Sequence, residues 1–81
     1  MSVFRFLPRW KEELVCTGPG GSFILELPMG VLTAVLPSEE MWQTVSPEWA
    51  KWLWPQLRDE LTAWCAFNNA KLVIDPAGRV Y

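Results

Sequence analysis

Apolar and polar side chains alternate along the first half of the chain. Residues 22–27 are the clearest case: Phe23, Leu25 and Leu27 fall on one side, Ser22, Ile24 and Glu26 on the other. A period of two is that of a strand with one solvated face. Residues 12–17 read as a preceding strand, and Gly18-Pro19-Gly20-Gly21 between them is a hairpin signal. Pro28-Met29-Gly30 makes a second tight connection. Residues 31–36 form an almost wholly apolar run stopped by Pro37, which suits a strand in a central position. A short strand over residues 3–7, closed by Pro8, puts Phe4 and Phe6 on one face and Arg5 on the other. Antiparallel strands in a meander are the natural topology.

After Pro37 the period lengthens. Ser38 followed by Glu39 and Glu40 caps a short helix or turn reaching about Val45. Ser46-Pro47-Glu48 is a stronger start signal, and a helix is expected from there to Asn68-Asn69, where asparagine tolerates the left-handed conformation that ends helices. At 100° per residue, Trp49, Leu53, Leu57, Leu61 and Trp64 share one stripe, with Glu48, Lys51, Asp59 and Thr62 opposite. Pro55 interrupts this run, at a cost of about 3 kcal/mol in a regular helix interior. The segment is either kinked there or split into helices over 47–53 and 55–68, and the continuous stripe favours a kink. Residues 70–75 read as a strand, Asp75-Pro76-Ala77-Gly78 as a type I turn, and residues 79–81 as the start of a returning strand.

The expected architecture is a single α+β domain over residues 1–81. It is a two-layer sandwich in which an antiparallel sheet of four to five strands, a meander plus a C-terminal strand, is covered by one long Pro-kinked helix. Such a helix leaves the second sheet face uncovered, although Ile24, Val73 and alternate residues of 31–36 are apolar there.

Composition narrows the chemistry. Eighty-one residues suit one core, and 51% apolar with 20% charged residues excludes intrinsic disorder. The absence of histidine removes His-based triads and imidazole metal sites, and two cysteines cannot make a four-ligand zinc site. Cys16 and Cys65 lack the C-x-x-C spacing of a redox pair and are expected to be free, partly buried thiols. No cofactor is expected. Arg5, Pro8, Arg9 and Lys11 break every N-terminal apolar run, so a secretory signal is not expected, and the chain reads as cytoplasmic with no membrane contact.

The carboxylate pairs Glu12-Glu13, Glu39-Glu40 and Asp59-Glu60 are sequence neighbours, which diverge on a strand or a helix and make poor acid–base dyads. Glu60, at the edge of the apolar stripe, is expected to reach solvent, Arg58 or Lys71. The glycine cluster lacks the lysine and the following helix of a phosphate-binding loop. Catalysis is therefore not expected. Charge is uneven: residues 1–11 carry three cations and no acid, whereas residues 12–60 carry a net −6. The N-terminal cations interleave with Phe4, Phe6 and Trp10, as on a stacking platform for single strands, but three cations release few counterions and nucleic acid is not the expected partner.

The tryptophans are the anomaly. There are six, and five lie within residues 42–64. Each aromatic buries about 150–250 Å², and a domain this small buries only about 60% of its unfolded surface. Trp49 and Trp64 suit the core. Trp42, Trp52, Trp54 and Trp10 are the candidate partner-binding residues, since exposed tryptophans behave as interface anchors. The expected function is a small non-catalytic protein-interaction module, a regulator, inhibitor or assembly factor, that meets a protein partner or a second copy of itself. The alternative is a domain binding an apolar or sugar-like ligand between sheet and helix.

Overall fold

The computed structural model describes residues 2–9 and 12–81. Its elements are β1 (Arg5–Arg9), β2 (Glu13–Gly18), β3 (Gly21–Glu26), β4 (Thr33–Pro37), α1 (Glu39–Val45), a 3-10 turn at Glu48–Ala50, α2 (Trp54–Phe67) and β5 (Lys71–Asp75). The five strands form one sheet in chain order. The first four run antiparallel to their neighbours, as a meander requires, and β4 lies inside the sheet as its apolar sequence suggests. The fold is α+β.

Three expectations are corrected. First, the sheet is mixed: β5 pairs parallel with β4, from Thr33 beside Lys71 to Pro37 beside Asp75. A parallel pair needs a crossover of a dozen residues or more, and the helical segment between β4 and β5 is that crossover. Second, the helix expected from Pro47 to Asn68 is not one kinked rod. The 3-10 turn ends at Ala50, and α2 starts at Trp54 with Pro55 in its first turn. Pro55 has no N–H to give and its ring crowds the carbonyl four residues back, so the first turn is where it fits without cost. Third, residues 79–81 do not return along β5. They pair with β3, where Val80 lies opposite Leu25 and the Ile24 and Tyr81 amides and carbonyls bond reciprocally at 3.1 and 2.9 Å. β3 meets β4 only at Glu26 and Val35, and the C-terminal residues fill the place beside β3 that β4 leaves.

That last turn is tight. A side chain at Gly78 would meet the Pro37 backbone at 3.1 Å. Asp75 closes the turn by accepting the Ala77 amide at 2.9 Å. Caps elsewhere follow the sequence: Ser38 accepts the Met41 amide at 3.3 Å, and Asn69 takes the left-handed conformation after α2, with φ 55°. Ser46 ends α1 and does not open a helix, its amide donating to the Trp42 carbonyl.

The core joins one face of the sheet to the helices. Leu14, Cys16, Phe23, Leu25, Leu27, Ala34 and Leu36 from the strands pack with Trp42, Ala50, Trp54, Leu57, Leu61 and Cys65. Aromatic rings continue from this core across the N-terminal half. Phe23 packs edge-on to Trp42 at 5.3 Å between centroids, Trp49 touches Phe4 and Phe23, and Phe6 reaches Trp64 at 6.1 Å. Trp49 lies on the β2–β3 hairpin, where a side chain at Gly18 would come within 2.7 Å of its ring and one at Gly20 would strike its Cβ and Cγ. The glycines thus serve as a seat for an indole as well as a turn.

Gly20→Ala is expected to displace Trp49 near its root, where rotamer changes give little relief. Unfolding in urea should show a loss of about 2 kcal/mol, the usual scale of overpacking. An unchanged midpoint would mean that Trp49 does not rest on the hairpin.

Candidate functional site

The structure separates the tryptophans. Trp42 is fully buried and its indole N–H donates to the Ala50 carbonyl at 2.9 Å. Trp54 is 6% exposed and donates to the Pro37 carbonyl at 2.9 Å. Both indoles are committed inside the fold, which corrects the expectation that Trp42 and Trp54 present free anchoring surfaces. Trp10 lies outside the described residues. Trp49 and Trp64 are half-buried against the core, as expected. Trp52 is 79% exposed. It stands in the short connection between the 3-10 turn and α2, not on a helix flank.

That connection is held on its inner side. The Ala50 carbonyl accepts from Trp42, and the next carbonyl, that of Lys51, accepts from the Gln43 side chain at 3.1 Å. Leu53 returns its amide to the Ala50 carbonyl at 3.0 Å. Trp52 is therefore carried on a fixed support between two inward-directed residues. It borders a cleft of about 410 Å³ lined by Glu39, Glu40, Gln43, Lys51, Trp54 and Pro55. The walls combine an indole face and a proline ring with two carboxylates in the first turn of α1. Such a cleft suits a partner side chain with an apolar stem, and the carboxylates favour one with a positive end.

A second concavity, about 530 Å³, lies between β1 and α2. Phe6, Trp64 and Phe67 form its aromatic walls, with Arg5 and Glu60 at the polar side. Sequence reasoning passed over Phe67, which is 89% exposed. The helical wheel held no such signal, because Phe67 falls at the same angle as Trp49 on the apolar stripe; it is exposed because it ends α2. Glu60 was also misjudged. Its carboxylate accepts the backbone amides of Val3 at 2.9 and 3.0 Å and of Phe4 at 2.9 Å, and Gln56 donates to it at 2.6 Å. It fastens the chain leading into β1 to the middle of α2.

Neither thiol is poised for chemistry. Cys16 and Cys65 are free and buried, and burial pushes both thiols up, away from the reactive thiolate. Among the described residues, no three of Cys, Asp and Glu gather so that they could hold a metal ion. No helix among these residues is long and apolar enough to cross a membrane. Comparison with known proteins finds no matching family model, no similar curated protein and no similar solved structure.

Partial burial opposes the charge on Glu60, but the bonds from Gln56, Phe4 and Val3 outweigh it and hold the carboxyl below its ordinary value. A depressed pKa stabilises the fold at neutral pH, and that contribution disappears as the pH falls through the folded-state value. Glu60→Gln is expected to cost roughly 1 kcal/mol near neutral pH, allowing for the solvation of the site. Urea unfolding at several pH values should show the gap between variant and wild type closing in acid. A gap that persists unchanged in acid would rule out the charged clamp.

Proposed function

We propose that the protein is a small non-catalytic protein-interaction module whose partner contacts centre on Trp52. The observation that carries this reading is the exposure of Trp52, at 79% the outlier among the tryptophans described. An exposed indole on a braced connection is pre-organised: little side-chain or loop ordering remains to be lost on binding. Trp52 and Pro55 supply flat apolar contact, and Glu39 and Glu40 bias the cleft toward a partner surface bearing lysine or arginine. Trp42 and Trp54 act behind this surface as its support. Regulation, inhibition or assembly of the partner, in the cytoplasm, are the roles such a module would serve. The two-layer packing of helices on one sheet face belongs to the same proposal, since it leaves the Trp52 connection on the outside.

A second reading rests on the groove between β1 and α2. Its volume falls within the range of about 300–1,000 Å³ typical of ligand sites, and its Phe6, Trp64 and Phe67 walls match a small apolar or sugar-like ligand. Binding there would quench or shift Trp64 emission without changing molar mass.

Trp52→Ala separates the two. The substitution removes an exposed side chain and should move stability by less than about 0.5 kcal/mol. Affinity capture from the source organism should recover a partner with the wild type and lose it with the variant. Equal recovery by both, or recovery by neither, overturns the interaction reading. Ligand-induced changes in emission that survive Trp52→Ala but not Phe67→Ala would instead establish the groove.

A further inference from the structure

The two edges of the sheet are built differently. β1 carries Arg5 and Arg9 at its ends and Pro8 within, the devices by which edge strands resist further pairing. β5 reads Lys-Leu-Val-Ile-Asp, with no proline and three consecutive apolar residues. Val73 is 42% and Ile74 46% exposed. The chain beyond β5 does not cover this edge, because residues 79–81 turn inward to β3.

We propose that β5 is a self-association edge, on which β5 of a second copy of this chain pairs antiparallel about a two-fold axis at Val73. The inference is independent of the Trp52 cleft and uses none of its residues.

The backbone selects this register. The Lys71 amide donates to the Leu32 carbonyl at 2.9 Å, so Lys71 directs its backbone toward β4. Directions alternate along a strand, so Val73 and Asp75 also face β4, while Leu72 and Ile74 direct their N–H and C=O groups to the free edge. A two-fold axis at Val73 sets Leu72 opposite Ile74 of the second copy and Ile74 opposite Leu72. Each such pair exchanges two N–H···O bonds, which makes four in all. The axis falls on a Val73–Val73 pair without hydrogen bonds, where side chains approach most closely.

Side chains agree with the backbone. Lys71, Val73 and Asp75 share the sheet face that carries Thr33, Val35 and Pro37. In this register Lys71 of each copy stands opposite Asp75 of the other. Only one Asp75 oxygen is engaged by Ala77, which leaves the second for the ammonium group. On the other face Leu72 and Ile74 extend the core across the junction. Shifting the axis to Leu72 sets Lys71 against Val73. Shifting it to Ile74 sets Val73 against Asp75 and brings Pro76, which has no N–H, opposite Leu72. Of the in-phase two-fold registers around this strand, the one at Val73 is therefore the one that matches charge with charge, apolar with apolar and donor with acceptor. It joins two five-stranded sheets into one.

Sedimentation equilibrium and amide exchange test this directly. The wild type should sediment at twice its 9.3 kDa chain mass, with the Leu72 and Ile74 amides protected from exchange. Val73→Lys places like charges at the two-fold axis on an exposed position. It should return the mass to that of one chain and expose both amides, with circular dichroism unchanged and the unfolding midpoint lowered only by the lost association. Trp52→Ala should leave the mass doubled. Wild type that sediments as one chain at its highest soluble concentration overturns the proposal. So does a dimer that survives Val73→Lys, or one in which the Leu72 and Ile74 amides exchange freely. If Val73→Lys fails to fold, Ile74→Pro removes an outward-facing donor, leaves the backbone bonds from β5 to β4 in place, and serves the same test.

Discussion

Two buried indole hydrogen bonds hold the crossover that makes this sheet mixed. A parallel β4–β5 pair obliges the chain to leave the sheet at Pro37 and return at Lys71 in the same direction. The path between is assembled from one two-turn helix, one 3-10 turn and one longer helix, none of which is stable alone at such lengths. Trp54 donates to the carbonyl of Pro37, tying the start of α2 to the end of β4. Trp42 donates to the carbonyl of Ala50, tying α1 to the 3-10 turn. Each indole fills core volume. Trp54 also satisfies the Pro37 carbonyl, which would otherwise lose its side-chain donor at a penalty of about 1–3 kcal/mol, and Trp42 adds a second donor to the Ala50 carbonyl that the Leu53 amide already bonds. Phenylalanine at either position would keep much of the volume and forfeit the bond. Two tryptophans inside so small a core are thus explained by the connection they fasten.

The strands were legible because each depends on its nearest neighbours. The hairpin at Gly18–Gly21, the alternation of 22–27 and the apolar run before Pro37 are local signals, and β2, β3 and β4 follow them to within a residue or two, whereas β1 runs through the Pro8 expected to close it, as an edge strand allows. The parallel placement of β5 was not legible, since it depends on where a crossover of more than thirty residues deposits the chain. The same holds for residues 79–81. A type I turn after Asp75 is consistent with a return along β5, and only the gap that β4 leaves beside β3 diverts them. Pro55 was read as a kink inside one helix, whereas it stands in the first turn of α2. The stripe continues across it because Leu57, Leu61 and Cys65 reach the core from α2, while Trp49 reaches it from the hairpin side.

For the candidate site, the sequence grouped Trp52 with Trp42 and Trp54 as anchors, and of these three Trp52 is the exposed one. It could not distinguish Trp42 and Trp54, because the property that removes them from the surface is a hydrogen bond to a carbonyl eight or seventeen residues away. Glu60 was obscure for the same reason: its partners, the Val3 and Phe4 amides, lie more than fifty residues back. Residues whose roles depend on distant backbone groups are those that local patterns misassign.

The exposure of Trp52 follows from the chain path, but its identity does not. Pro55 fixes where α2 begins, and Ala50 and Leu53 turn inward on either side, so whatever stands at position 52 projects outward. A lysine or glutamine there would serve the fold equally well and would avoid presenting a large apolar surface to water. Among the described residues, the aromatic contacts run through Phe4, Phe6, Phe23, Trp42, Trp49 and Trp64 and do not include Trp52. β5 poses the same question at the level of a strand, since its sequence lacks the proline that interrupts β1. The exposed tryptophan and the open edge are thus the two features from which the proposed interaction and the proposed pairing start.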